Sequence, residues 1–198
     1  MSTVALIVIV VAVVVVLAAL GAVVGRMRRR RRLRARFGPE YERTLRKSGN
    51  AQQAEADLHR RAAERDRLSI RQLTAAQRDR YEQDWRLVQA EFVDVPGTSL
   101  ARADALVTAA MVDSGYPVRD FGQSADLISV DHPEVVERYR RAHGVFVASR
   151  ASEVPTEDIR RAFVDYRALF AELVDPDQTP HAQPENRRSA DQSSAASQ

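Results

Sequence analysis

The residues best suited to chemistry gather between Asp120 and Glu134. Asp120, Asp126, Asp131, His132 and Glu134 place four carboxylates and one imidazole close together in the chain. A group of this kind could hold a cation or relay a proton between an acid and a base. Asp126, Asp131, His132 and Glu134 are therefore the polar cluster on which an enzymatic or cation-binding reading centres, in particular Asp131 and His132. The competing reading is architectural: Asp131 caps a helix, Glu134 suits the positive end of that helix, and the others are solvated. His132 and His143 are separated by about 16 Å along a helix axis, too far to share one metal ion. His132-Pro-Glu134 has the H-x-E order of zinc deaminases, but that chemistry needs a cysteine pair and the chain has no cysteine.

The lack of cysteine also removes disulfides, thiol nucleophiles and thiolate metal sites. No phosphate-cradling glycine loop, dinucleotide fingerprint, H-E-x-x-H helix or nucleophile elbow is present. Tyr81, Trp85, Tyr139 and Tyr166 could form a stacking platform, yet each falls on an apolar helical stripe and is expected in a core. The sequence thus assigns no catalytic, cofactor-binding or metal-ligating residue and calls for no cofactor.

The elements that would position any such site begin with an uncharged apolar run from Val4 to Val24. Its length corresponds to about 31 Å of helix, the thickness of one hydrocarbon core. In lipid the backbone must satisfy its own hydrogen bonds, so helix is expected despite the many valines. Arginines 26, 28, 29, 30, 31, 32, 34 and 36 follow at once. Charge after the run rather than before it argues for a retained anchor over a cleaved signal peptide, although Ala19-Leu-Gly21 resembles a cleavage site. By the positive-inside rule the arginines stay cytoplasmic, with the N-terminus outside.

The isoelectric point of 9.7 suggests a nucleic-acid binder, but the charge is concentrated. The 30 basic residues include these eight arginines, leaving 22 against 27 acidic residues elsewhere, a net of −5. The body is mildly acidic. Arg26, Arg28, Arg29, Arg30, Arg31, Arg32, Arg34 and Arg36 are expected to contact anionic lipid headgroups of the inner leaflet, each by about 1 kcal/mol. Gly21 and Gly25 match the small-xxx-small spacing of paired membrane helices, which points to a homodimer through the anchor.

Beyond the anchor the periodicity is helical throughout. Gly38 and Pro39 close one helix and open a short one ending at Ser48-Gly49-Asn50. Residues 51–67 favour helix but offer a thin apolar stripe, so an exposed linker helix is expected. Thr74 and Gln77 form a capping box ahead of Tyr81, Trp85, Val88 and Phe92. Ser99 is expected to cap the next helix, Gly115 to end it, and residues 116–130 to form a loop with a short helical turn. Asp131 and Thr156 are expected to cap the last two helices. Ile159, Phe163, Tyr166, Phe170 and Leu173 form the clearest amphipathic stripe. Residues 175–198 lack large apolar side chains and are expected to be disordered.

Two segments, Tyr116-Pro-Val-Arg-Asp-Phe and Leu127-Ile-Ser-Val-Asp-His-Pro-Glu-Val-Val-Glu-Arg-Tyr-Arg-Arg-Ala-His143, carry a family resemblance. So do Arg36-Phe-Gly-Pro-Glu-Tyr41, Arg80-Tyr-Glu-Gln-Asp-Trp85, Val88-Gln-Ala-Glu-Phe-Val-Asp94 and Val164-Asp-Tyr-Arg-Ala-Leu-Phe170. The chain resembles uncharacterised single-pass membrane proteins of actinobacteria, often labelled secreted or hypothetical. That family's Leu-Ser-Val-Asp-His-Pro is interrupted here by an isoleucine before Ser129. The resemblance implies an anchor, a helical body and a bacterial cell membrane, and no activity.

The expected fold class is all-α. Residues 1–3 form a short extracytoplasmic N-terminus, 4–25 the transmembrane helix and 26–37 the polybasic segment. Charged linker helices occupy 39–73, a compact bundle of about four amphipathic helices 74–174, and a disordered tail 175–198. The expected function is a non-enzymatic, membrane-tethered cytoplasmic interaction module for an unidentified protein partner. The alternatives are the Asp131/His132 enzyme or cation site and a membrane-associated nucleic-acid binder working through the arginine block.

Overall fold

The computed structural model describes residues 3–175, with side chains described from residue 11 onward. Every regular element among the described residues is helical. The order is α1 (Thr3–Phe37), α2 (Pro39–Ser48), α3 (Ala51–Arg65), α4 (Ala75–Glu91), α5 (Pro96–Asp113), α6 (Phe121–Asp131), α7 (Val136–Ala151) and α8 (Thr156–Val174). The tail expected to be disordered lies outside the described residues, apart from Asp175.

The chain divides into two compact units. The first takes residues up to Arg67 together with Ser129–Glu134, and the second takes Leu68–Ile128 and the chain from Val135 onward.

In the first unit, α1 is one uninterrupted helix. It is the one helix among the described residues long and apolar enough to cross a membrane, and its most apolar stretch is unburied. Val11, Val13, Val14, Val15, Val16, Leu17 and Leu20 are all more than half exposed, a surface suited to lipid rather than water. Past the arginines the same helix buries Leu33 and Phe37. They pack with Tyr41, Leu58, Ala62 and Val130 in a small core. Gly38, at φ +45°, turns the chain into α2, and Pro39 supplies the first helical position without needing a donor.

Helix α3 is not the exposed linker expected from its composition. Ala54, Leu58, Arg61 and Ala62 are buried. Two of those residues are alanines and one is an arginine, which is why hydrophobic periodicity underestimated the packed face. The Arg61 guanidinium is neutralised inside the unit. It donates to Glu40 at 2.9 Å and meets Asp57 at 2.6 Å, with the Arg61 and Glu40 side chains only 4% and 1% exposed.

The second unit closes a larger core. α4, α5, α7 and α8 contribute Trp85, Val107, Met111, Tyr139, Phe163, Tyr166 and Phe170 to it. Trp85 stacks between Phe163 and Phe170, with ring centroids at 5.1 and 4.6 Å. The stripe on α8 is buried at Ile159, Phe163, Tyr166, Phe170 and Leu173, as the 3-4 spacing predicts. The tyrosines and tryptophan considered as a stacking platform are core residues.

The local signals in this unit met different fates. Thr74 and Gln77 form the capping box in both directions. Gly115, at φ +94°, ends α5: its N–H bonds Val112 O and the Tyr116 N–H bonds Met111 O, a Schellman closure. Ser99 does not cap α5. The helix starts earlier, at Pro96, and Ser99 is buried within it. Residues 121–131 are helix α6 rather than loop, because Asp120 caps them: its Oδ1 accepts from the Gln123 N–H at 2.8 Å. Thr156 is the first residue of α8, one position inside the Pro155 cap.

Candidate functional site

Members of the carboxylate–histidine group meet different partners. Asp120 is spent as the α6 cap. Asp126, in the second unit, meets the Arg140 guanidinium at 3.3 Å. Asp131, in the first unit, accepts from Arg65 Nε at 2.7 Å. It ends α6 and does not cap α7, which starts at Val136 without a side-chain cap. The correction has a simple cause. Pro133 follows Asp131 by two residues and the next helix opens four residues later than expected, with Val135 and not Asp131 at its cap, so the carboxylate is left to a cation from α3. Glu134 lies against the turn before α2: a Cβ added to Gly38 would stand 2.9 Å from Glu134 Oε1. A carboxylate there complements the positive N-terminal end of α2, where Gly38 provides no side-chain cap. His132 is half-buried in the connection between α6 and α7. Among the described residues no three His, Cys, Asp or Glu side chains are placed to hold a metal ion.

A polar centre that sequence reasoning missed sits in the second unit. Tyr166 Oη donates to Asp104 Oδ1 at 2.6 Å, and His143 Nδ1 lies 3.3 Å from the same oxygen. The His143 ring stacks flat on Phe121, with centroids 3.7 Å apart and planes 7° apart. Burial, the bond to Asp104 and the carboxylate charge push the Tyr166 hydroxyl far above its ordinary range. Burial and the Asp104 charge do the same for Tyr139. Both phenols therefore stay protonated, and Tyr166 acts as the hydrogen-bond donor to Asp104. The arrangement ties α5, α7 and α8 together. Asp104 and Tyr166 lie far apart in sequence on separate amphipathic helices, and no short-range signal pairs them.

The arginine segment is where the structure adds most to the sequence. Arg30 Nε donates to Glu55 at 2.7 Å, and Glu55 also accepts from Tyr41 Oη at 3.4 Å. Arg34 pairs with Glu42 at 3.3 Å, and its guanidinium stands 5.0 Å from the centre of the Tyr41 ring. Arg36 pairs with Asp66 at 3.4 Å. These three arginines belong to the side of α1 that carries Leu33 and Phe37, and they bind it to α2, α3 and the residue after α3. Arg26, Arg28, Arg29, Arg31 and Arg32 are exposed. Among the described residues none of these five has an ion pair or a hydrogen-bonding partner. The eight arginines are therefore not one uniform patch. Glu55, Glu42 and Asp66 were invisible as partners because hydrophobic periodicity does not say which face of α3 meets α1.

Gly21 and Gly25 share one face of α1, and nothing lies within 4 Å of a Cβ added at either. In the second unit, a groove of about 480 Å³ runs along α7 and α8, lined by Arg141, Val145, Arg160, Arg161, Val164 and Asp165 among others. Comparisons with protein-family models, with curated proteins and with solved structures return no match to this chain.

Proposed function

We propose that the protein is a non-enzymatic, membrane-tethered helical module that presents its second unit to a protein partner on the cytoplasmic side of a bacterial cell membrane. The observation that carries this reading is the continuity of α1. A stretch that is apolar and exposed all round runs without a break into a segment whose Leu33 and Phe37 are buried in a folded unit. An anchor joined in this way holds the first unit at the membrane surface rather than on a loose string. The arginines that follow the apolar stretch support an outside N-terminus and a cytoplasmic body. We read α4, α5, α7 and α8 as the bundle that does the presenting.

The groove along α7 and α8 is the surface we assign to the partner. It combines both charge signs with exposed Val164, a mixture suited to a polar, partly apolar peptide or helix face. The test is a photo-crosslinking amino acid placed at Val164, at Val145 and, as a control away from the groove, at Leu87, in native membranes. A discrete, reproducible adduct at the two valine positions and not at Leu87 supports the reading. No adduct at either valine position refutes it.

The engagement of Asp126 by Arg140, of Asp131 by Arg65 and of Glu134 at the turn before α2 favours the module over the enzyme. Titration of the full chain in detergent with divalent ions tests that choice, and a saturable thermal shift abolished by Asp131→Asn would reverse it.

A further inference from the structure

We infer that the exposed face of the arginine segment, centred on Arg28, Arg31 and Arg32, is an anionic-phospholipid contact, whereas Arg30, Arg34 and Arg36 are clamps that take no part in lipid selection. The inference rests on the membrane reading of α1 and deepens it.

Three observations converge. The first is direction. At about 100° per residue, Arg28, Arg31 and Arg32 point about 120–160° away from the line of Leu33 and Phe37. They leave the helix on the side away from the first unit's core. The second is pairing. Arg30, Arg34 and Arg36 are met by Glu55, Glu42 and Asp66. Arg28, Arg31 and Arg32 are exposed and meet no carboxylate among the described residues. The third is depth. Counting from Val24, the end of the apolar run, Arg28 lies about 6 Å and Arg32 about 12 Å further along the axis. The headgroup layer on each side of a bilayer is about 5–8 Å thick, and an arginine side chain can reach back toward it. Arg34 and Arg36 lie about 15–18 Å beyond Val24, past that layer, where the protein supplies their counter-charges. Arg26 and Arg29 are also exposed, but they lie about 0° and 60° from the line of Leu33 and Phe37 and so fall outside this face.

The chemistry fits a phosphodiester headgroup. A guanidinium forms paired hydrogen bonds with phosphate oxygens and keeps its charge at any accessible pH. Three free arginines on a short arc can engage neighbouring headgroups without drawing on the ion pairs that hold the first unit together. Lipid selection and folding are thus assigned to different arginines of the same helix.

Two variants with equal charge loss separate this division from simple additive attraction. The full chain is reconstituted in phosphatidylcholine vesicles containing spin-labelled phosphatidylglycerol or spin-labelled phosphatidylcholine. Electron paramagnetic resonance then reads which lipid is immobilised at the protein. The expected result is a preference of about fivefold for phosphatidylglycerol, the equivalent of about 1 kcal/mol. Arg28→Gln/Arg31→Gln/Arg32→Gln should bring the preference close to one. Arg30→Gln/Arg34→Gln/Arg36→Gln should keep it within about twofold of the parent. Equal loss in both variants, or no loss in either, overturns the inference. If the clamp variant fails to fold, Arg34→Gln/Arg36→Gln against Arg28→Gln/Arg32→Gln makes the same comparison. Duplex DNA added outside the vesicles should leave the lipid preference unchanged, and its abolition by DNA would assign the face to nucleic acid instead. Absence of any immobilised lipid would refute the membrane reading itself. Equal immobilisation of both lipids would refute only the lipid-selective face.

Discussion

Arg61 is the residue whose loss should most expose how the first unit is held together. Its side chain is 4% exposed and contacts Glu40 at 2.9 Å and Asp57 at 2.6 Å, while the Glu40 side chain is 1% exposed. Arg61→Met keeps the aliphatic stem and removes the charge. Asp57 retains Arg60. Glu40 keeps Arg43, whose nearest nitrogen is 3.8 Å away on a side chain 35% exposed. Removing one member of a buried pair costs about 3–5 kcal/mol, because the remaining charge keeps its desolvation penalty. The unit's core has six buried apolar residues, and so small a core rarely supplies more than about 3–5 kcal/mol. The substitution should therefore unfold α2 and α3 away from α1. Hydrogen exchange of the full chain in detergent would read this as a rise of about a hundred-fold or more in the rates of the protected α2 and α3 amides. The second unit should be unaffected. Glu40→Leu/Arg61→Met should recover most of the protection, since replacing both charges with apolar groups is often neutral or stabilising. Exchange within about twofold of the parent in the single variant, or no recovery in the double, would refute the reasoning.

Further outcomes follow from the same geometry. Phe37→Ala should cost about 3–5 kcal/mol in the first unit, because Phe37 is fully buried where the anchor enters the fold; protease sensitivity after Phe37 would report it. Gly115→Ala should destabilise the second unit by about 1–3 kcal/mol, since the residue has φ +94° and an added Cβ would stand 2.7 Å from Ser69 O; thermal unfolding checks this. The second unit should lose stability in alkali. Burial and the bond to Asp113 raise the Tyr81 hydroxyl to about 12, so its contribution is complete below pH about 10, the unfolded value, and is lost as pH rises toward 12. Tyr81→Phe should flatten that part of the profile, measured by circular dichroism. At the acid end, burial raises the Asp57 carboxyl but Arg60 and Arg61 outweigh it and hold it below the usual range. Its contribution is present above the unfolded value of about 3.9 and is lost as pH falls below it; Arg60→Gln, at an exposed partner of Asp57, should shrink that acid-side loss.

Much of the helical order could be read from single residues. The capping pair Thr74 and Gln77, Pro39 at a first turn and Gly115 at a left-handed closure are local devices, and local devices leave local signatures. The α8 stripe was visible because large apolar residues fell on one face. The packed face of α3 was not, because alanine and a neutralised arginine carry no hydrophobic signal. Asp120 shows how one capping carboxylate can turn an expected loop into α6. The arginine partners of the candidate chemical cluster were hidden for a related reason: Asp126 and Asp131 meet Arg140 and Arg65, which no short-range signal pairs with them. The same blindness to distant partners hid the division of the arginine segment, which depends on Glu42, Glu55 and Asp66.

The central claim is that α1 crosses the membrane with the folded units on the cytoplasmic side. The chain contains no cysteine, so a single introduced thiol reports one position cleanly. In intact bacterial cells, Ser2→Cys should react with a membrane-impermeant maleimide, while Gln53→Cys, on the exposed side of α3, should react only after the membrane is permeabilised. Labelling of Gln53→Cys in intact cells, with Ser2→Cys shielded, would contradict the account.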